Sequence, residues 1–189
     1  MGSWGATTAD ESKPKYLTDV EKRDCYADNT GWTVAAGGNG NAAAQRETLV
    51  AIGGLSGGAS TTAALAHASV SSTRFVTTTL GAAAGGAFSA EVIYNEAVDV
   101  TGTPKMTVTN ETEAARNIVL DYASGTGTNR LVFTATVAAD ATTAADVLAV
   151  QADSVAQDSG STIKDKGTAV DSTLTHAAQA ATTKITVAA

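Results

Sequence analysis

From Phe88 to Ala178 apolar and polar positions alternate in short pieces: FSAEVIYNEAVDV, PKMTVTN, RNIVLDY, NRLVFTATV, ADVLAVQA and STIKD. In the first piece Phe88, Ala90, Val92 and Tyr94 share one parity, while Ser89, Glu91 and Asn95 hold the other, with Ile93 the exception on the outer side. A period of two is what a strand with one buried face requires. TGTP at Thr101 to Pro104, SGTGTN at Ser124 to Asn129 and QDSG at Gln157 to Gly160 separate the pieces with turn-forming residues. Short strands divided at this spacing predict an all-β sandwich over residues 87–189, not βαβ units.

The first 86 residues have a different texture. Residues 1–26 are polar and charged, with Trp4, Tyr16, Leu17 and Val20 as scattered apolar anchors. LTDVEKRDCYAD predicts one or two helical turns starting at Thr18 or Asp19, with Glu21 near the third position, and a helix this short is marginal without packing. The remainder of the opening segment reads as an extended arm. GWTVAA, ETLVAIGGL and STRFVTTTL then read as three strands of a small sheet, divided by glycine clusters. The expected organisation is an N-terminal arm and small β anchoring domain, 1–86, followed by a β-sandwich, 87–189.

Two resemblances sharpen this reading. VDVTGTPKMTV, LDYASGTGTNRLVFTATVAADATT, GSTIKDKGT and LTHAA occur in the order seen in bacterial immunoglobulin-like (Ig-like) repeats of the SwmB-like type, and the chain resembles them from about Ala87 to Ala189. A Gly-Ala tract replaces their usual entry, and the Asn expected after Gly167 is absent. The resemblance implies an immunoglobulin-like sandwich. It implies no single activity, because such modules serve as spacers, adhesive surfaces and virion appendages.

From Trp4 to Leu55 the pieces WGATTADESKPKYLT, EKRDCYADNTGW and ETLVAIGGL are similar to the start of virion structural proteins of marine tailed phages, notably cyanophage-type myoviruses. What this implies is a location in the virion, after synthesis in the host cytoplasm.

Composition narrows the function classes. Ala, Thr and Gly supply 87 of the 189 residues, and aromatics only 5%. Small side chains give thin cores at roughly 25 cal/mol per Å² of buried apolar area, so support from neighbouring subunits is expected. The net charge is -7, of which residues 87–189 carry -6. An acidic module disfavours nucleic-acid backbones. Neither a signal peptide nor an apolar membrane span is visible, so no membrane partner is expected.

Candidate chemistry is thin. His67 and His176 each sit in a small-residue stretch and read as strand-end or loop side chains. Cys25 lies in an acidic context, which raises a thiol pKa and argues against redox work. GLSGG lacks a supporting acid or His, and GGNGN lacks the Gly-Lys-Thr ending of a phosphate loop. Asp140, Asp146, Asp153, Asp158 and Asp165 offer oxygen ligands without the spacing of a dedicated calcium loop. Asn110-Glu111-Thr112 matches a glycosylation sequon and reads as chance. No catalytic residue, cofactor or metal is therefore assigned, and an enzyme acting on cell-wall polymer lacks the aromatic floor it would need.

The expected function is a head decoration or cement protein. It would attach to the major capsid protein and neighbouring virion subunits through its N-terminal region and display the sandwich outward. Trp4, Lys13, Lys15, Tyr16 and Leu17 are the expected contacts on the arm. Trp32 is added as an aromatic anchor, and Arg23 and Arg46 as cations offered to an acidic partner. A homo-oligomer is expected, a trimer being one arrangement decoration proteins use. The alternative is an adhesive module at a neck, tail or fibre position in weak contact with host glycans, although its loops lack the aromatic residues that sugar stacking uses.

Overall fold

The computed structural model describes Pro14, residues 16–38, 41–56, 65, 67–158 and 160–189. The architecture is all-β apart from one short helix and two single 3-10 turns among those residues. Helix α1 (Asp19–Asp24) begins where the sequence places it. Thr18 Oγ1 accepts from the Glu21 amide at 3.3 Å, and Glu21 Oε2 accepts from the Thr18 amide at 2.8 Å. Two helix-end donors are satisfied reciprocally, which fixes the start of a helix too short to stand alone.

The helix runs directly into a strand that the sequence reading assigned to the arm: β1 (Cys25–Asp28). It forms a tight hairpin with β2 (Gly31–Val34), which in turn pairs with β3 (Glu47–Ala51). The third strand expected in this small sheet belongs elsewhere: β4 (Val70–Phe75) pairs antiparallel with β5 (Gly86–Thr101), placing Phe75 opposite Ala90. The small sheet is thus β1-β2-β3, and CYAD takes the place expected for STRFV.

Seven further strands follow: β6 (Lys105–Asn110), β7 (Ile118–Ser124), β8 (Thr128–Val137), β9 (Val147–Ala149), β10 (Val155–Ala156), β11 (Thr162–Asp165) and β12 (Ile185–Thr186). The hydrogen-bonded order is β12-β9-β6-β7-β8-β5-β1-β2-β3, with β10 beside β6, and β4 and β11 beside β5. Among the described strand pairs only β1–β5, at Ala27 and Glu96, is parallel, and an isolated bridge between Gly81 and Ala188 runs parallel as well.

The 16-residue β5 organises the molecule by changing partners along its length. Its first half pairs with β4 and β8, and its last residues pair with β11 from Val98 to Thr101. The register against β8 shifts between Ile93 and Val98, the stretch where β1 joins.

Two cores result. The larger gathers Phe88, Ala90, Val92 and Tyr94 of β5 with Met106, Leu120, Leu131, Phe133, Leu148 and Ile163 from the strands around it. Residues 68–82 contribute Ala68, Phe75, Leu80 and Ala82 to it. Burying each large side chain is worth about 1.5–3 kcal/mol. The smaller core holds Leu17, Cys25, Ala27, Trp32, Val34 and Leu55. Among the described residues it has few members, so the contacts that join it to β5 bear on its stability.

Candidate functional site

The join between the two cores is built from charged and polar side chains on the outer face of β5 and β8. In register, Arg130 of β8 stands opposite Ile93 of β5. Its Nη2 donates to Glu91 Oε1 at 2.7 Å and its Nη1 to Asp24 Oδ1 at 3.1 Å. Arg74 of β4 donates from Nε to the other Glu91 oxygen at 2.7 Å, and Arg23 meets Asp24 at 3.2 Å. Burial would raise the Glu91 carboxyl, but the bonds from Arg74 and Arg130 outweigh it and hold the group below its ordinary value.

Asn129 completes the join. Its amide Nδ2 donates to the Arg23 carbonyl at 3.2 Å and to the Tyr94 carbonyl at 3.3 Å, bridging α1 to β5. Glu91 and Ile93, on the outer parity of β5, are both buried. The parity exception at Ile93 therefore has a structural counterpart, because this outer face is covered where the N-terminal unit approaches.

The expected contact residues divide sharply. Trp4, Lys13 and Lys15 lie outside the described residues. Tyr16 is 75% exposed, while its neighbour Leu17 is buried in the small core. Trp32 is also buried there, so both Leu17 and Trp32 brace the unit from within and present no surface. Arg23 is engaged by Asp24, and Arg46 by Asp28 and the Thr30 hydroxyl, so both guanidiniums serve the fold before any partner. Of the expected contacts among the described residues, Tyr16 is the one whose side chain is largely exposed, and β3 ends the strand order.

The other chemical candidates are absorbed by the fold. His67 Nε2 lies 2.8 Å from Thr173 Oγ1 at the surface. His176 is buried beside a cleft of about 270 Å³ lined by Val70, Ser72, Gln179 and Thr183. Its Nε2 is 3.1 Å from Ser154 Oγ, the contact a serine nucleophile makes with its base. The same Nε2 also accepts from the Ser154 amide at 3.1 Å, and Nδ1 faces the Ala177 carbonyl at 2.9 Å in place of an orienting acid. Asp153 Oδ1 accepts from the His176 amide at 2.9 Å, and the set clips two loops together.

Asp146 is committed to Asn110 Nδ2 at 2.7 Å and the Thr143 amide at 2.8 Å. Among the described residues no three metal-ligating side chains gather, and no helix is long and apolar enough to cross a membrane. Asn39 and Gly40 of GGNGN, and Gly57 and Gly58 of GLSGG, lie outside the described residues.

Sequence reasoning passed over Glu96. It lies on the even parity of Phe88, Ala90, Val92 and Tyr94, an acid on the apolar face, and it is fully buried. Comparison of the chain with protein-family models, curated proteins and solved structures gives no match.

Proposed function

We propose that the chain is a structural protein of a tailed-phage virion, a decoration or cement protein on the head. It attaches to the major capsid protein through its N-terminal unit and holds an Ig-like sandwich outward. The order of the opening sequence pieces supports the virion assignment, and the sandwich reading rests on the C-terminal strand and hairpin sequence.

The observation that carries the attachment reading is the contrast at Tyr16 and Leu17. Leu17 anchors the entry of α1 in the small core, and this fixes Tyr16 in an exposed position next to it. Tyrosine covers large apolar area at low entropic cost and keeps a polar tip, which suits it to an interface. The edge of β3 beyond it offers backbone donors and acceptors to an added strand. The polar join at Asn129 and Arg130 couples this unit to the larger module, so a load on the attached end passes to the displayed one.

Co-sedimentation with phage heads lacking the protein tests this reading. The full chain should pellet with the heads, and a chain lacking residues 1–13 and carrying Tyr16→Ser should remain in the supernatant with its melting temperature little changed. Equal pelleting of the two chains would contradict attachment through this end.

A further inference from the structure

Glu96 sits where β5 exchanges its neighbours, opposite Ala27 of β1 and within the register shift against β8. It is completely buried, and neither carboxyl oxygen has a hydrogen bond of full geometry. Two groups act on it: the Ser56 hydroxyl from the N-terminal unit and the Asp165 carboxyl from β11. Asp165 is buried too. Its Oδ1 accepts from the amides of Gly167 at 2.7 Å and Thr168 at 2.9 Å, while Oδ2 is without a partner.

One proton together with the Ser56 hydroxyl accounts for all three unpartnered oxygens. The two amides occupy Asp165 Oδ1 and leave Oδ2 as the atom that lacks a donor. A proton on Glu96 would supply the donor that Asp165 Oδ2 lacks, and the remaining Glu96 oxygen would accept from Ser56. Two ionised carboxylates side by side in this setting would repel with little solvent to screen them.

We infer that Glu96 and Asp165 share a proton, and that this acid–carboxylate bond, with Ser56, is a pH-sensitive lock holding the N-terminal unit to the C-terminal module. The inference rests on burial and unpartnered atoms, and it is independent of the virion reading.

The surroundings leave the pair without a cation among the described residues. Lys166, next to Asp165, points its Nζ to the Gly127 carbonyl at 3.3 Å. Arg130 of β8 is engaged by Glu91 and Asp24, and Asp28 of β1 by Thr30 and Arg46. Tyr94, on the same face of β5, has an unpartnered buried hydroxyl and adds no charge. Burial pushes the Glu96 carboxyl up to about 8; Asp165 adds to the rise and the Ser56 bond opposes it.

A carboxyl raised in the folded state from 4.5 to about 8 contributes stability that is complete below the lower value and lost as pH climbs to the upper one. Glu96→Gln keeps the donor and acceptor without the titration. Relative to this variant, wild type should lose up to about tenfold in folding constant per pH unit across that window, then level off. Buried Cys25 should react faster with a thiol reagent in wild type than in Glu96→Gln at the same alkaline pH.

Infrared spectroscopy of the wild type needs no variant to fold. It should show a protonated-carboxyl band at neutral pH that disappears above about pH 8. Absence of that band at neutral pH would overturn the lock. So would a melting temperature that rises with added calcium in wild type but not in Glu96→Gln, which would assign the pair to a divalent cation.

Discussion

Arg130 Nη1 meets Asp24 Oδ1 at 3.1 Å, joining residues 106 positions apart in the chain and tying the end of α1 to β8. The Asp24 side chain is 5% exposed and that of Glu91, on the other arm of the guanidinium, 6%. Arg130→Met keeps much of the stem's packing but withdraws a cation from two buried acids. Arg23 and Arg74 still compensate in part, so the expected loss is about 1–3 kcal/mol. Urea unfolding checks it, and a loss within error would mean that the guanidinium contributes nothing to the join.

Acid should weaken the same join. Glu91 titrates below its ordinary 4.5 in the folded chain. Its contribution is therefore present above that value and disappears as pH falls through the folded one. Thermal melts between about pH 3 and 6 should show stability dropping at the acid end, with a shallower drop in Glu91→Gln. Identical slopes in the two chains would remove Glu91 from the explanation.

Trp32 is the largest side chain of the small core and 3% exposed. Trp32→Ala should cost about 3–5 kcal/mol, concentrated in the N-terminal unit. Hydrogen exchange reads this directly: amides of β1, β2 and β3 should lose protection while those of β5 and β8 keep most of theirs. Uniform loss across both cores would show that they unfold as one.

Gly125 opens the turn between β7 and β8 with φ of +117°, and a Cβ there would stand 2.0 Å from the Arg130 carbonyl oxygen. Gly125→Ala should distort the hairpin at the base of the Arg130 contacts and cost about 1–3 kcal/mol. A melting temperature equal to wild type would show that the turn relaxes freely.

Much of this fold is written in local pattern. The alternation in FSAEVIYNEAVDV and NRLVFTATV places β5 and β8, and Thr18 with Glu21 places the start of α1, because strand period and helix caps are near-neighbour effects. β1 escapes that reading since CYAD is four residues long and abuts a helix. The partner of β4 escapes it because pairing Val70 with Tyr94 is a long-range choice with no mark in STRFV itself. The inward turn of Leu17 and Trp32 depends on a core assembled from residues as distant as Leu55. Glu96 was legible by parity alone. Its meaning was not, because Asp165 and Ser56 reach it only through the folded sheet.

The copy number and position of the chain in purified particles tests the central proposal most directly, by quantitative mass spectrometry with immunogold labelling. The account predicts labelling over the head surface, with copies per particle on the order of hundreds, following the lattice symmetry. Absence from particles, or label confined to the neck or tail at about six or twelve copies, would contradict it.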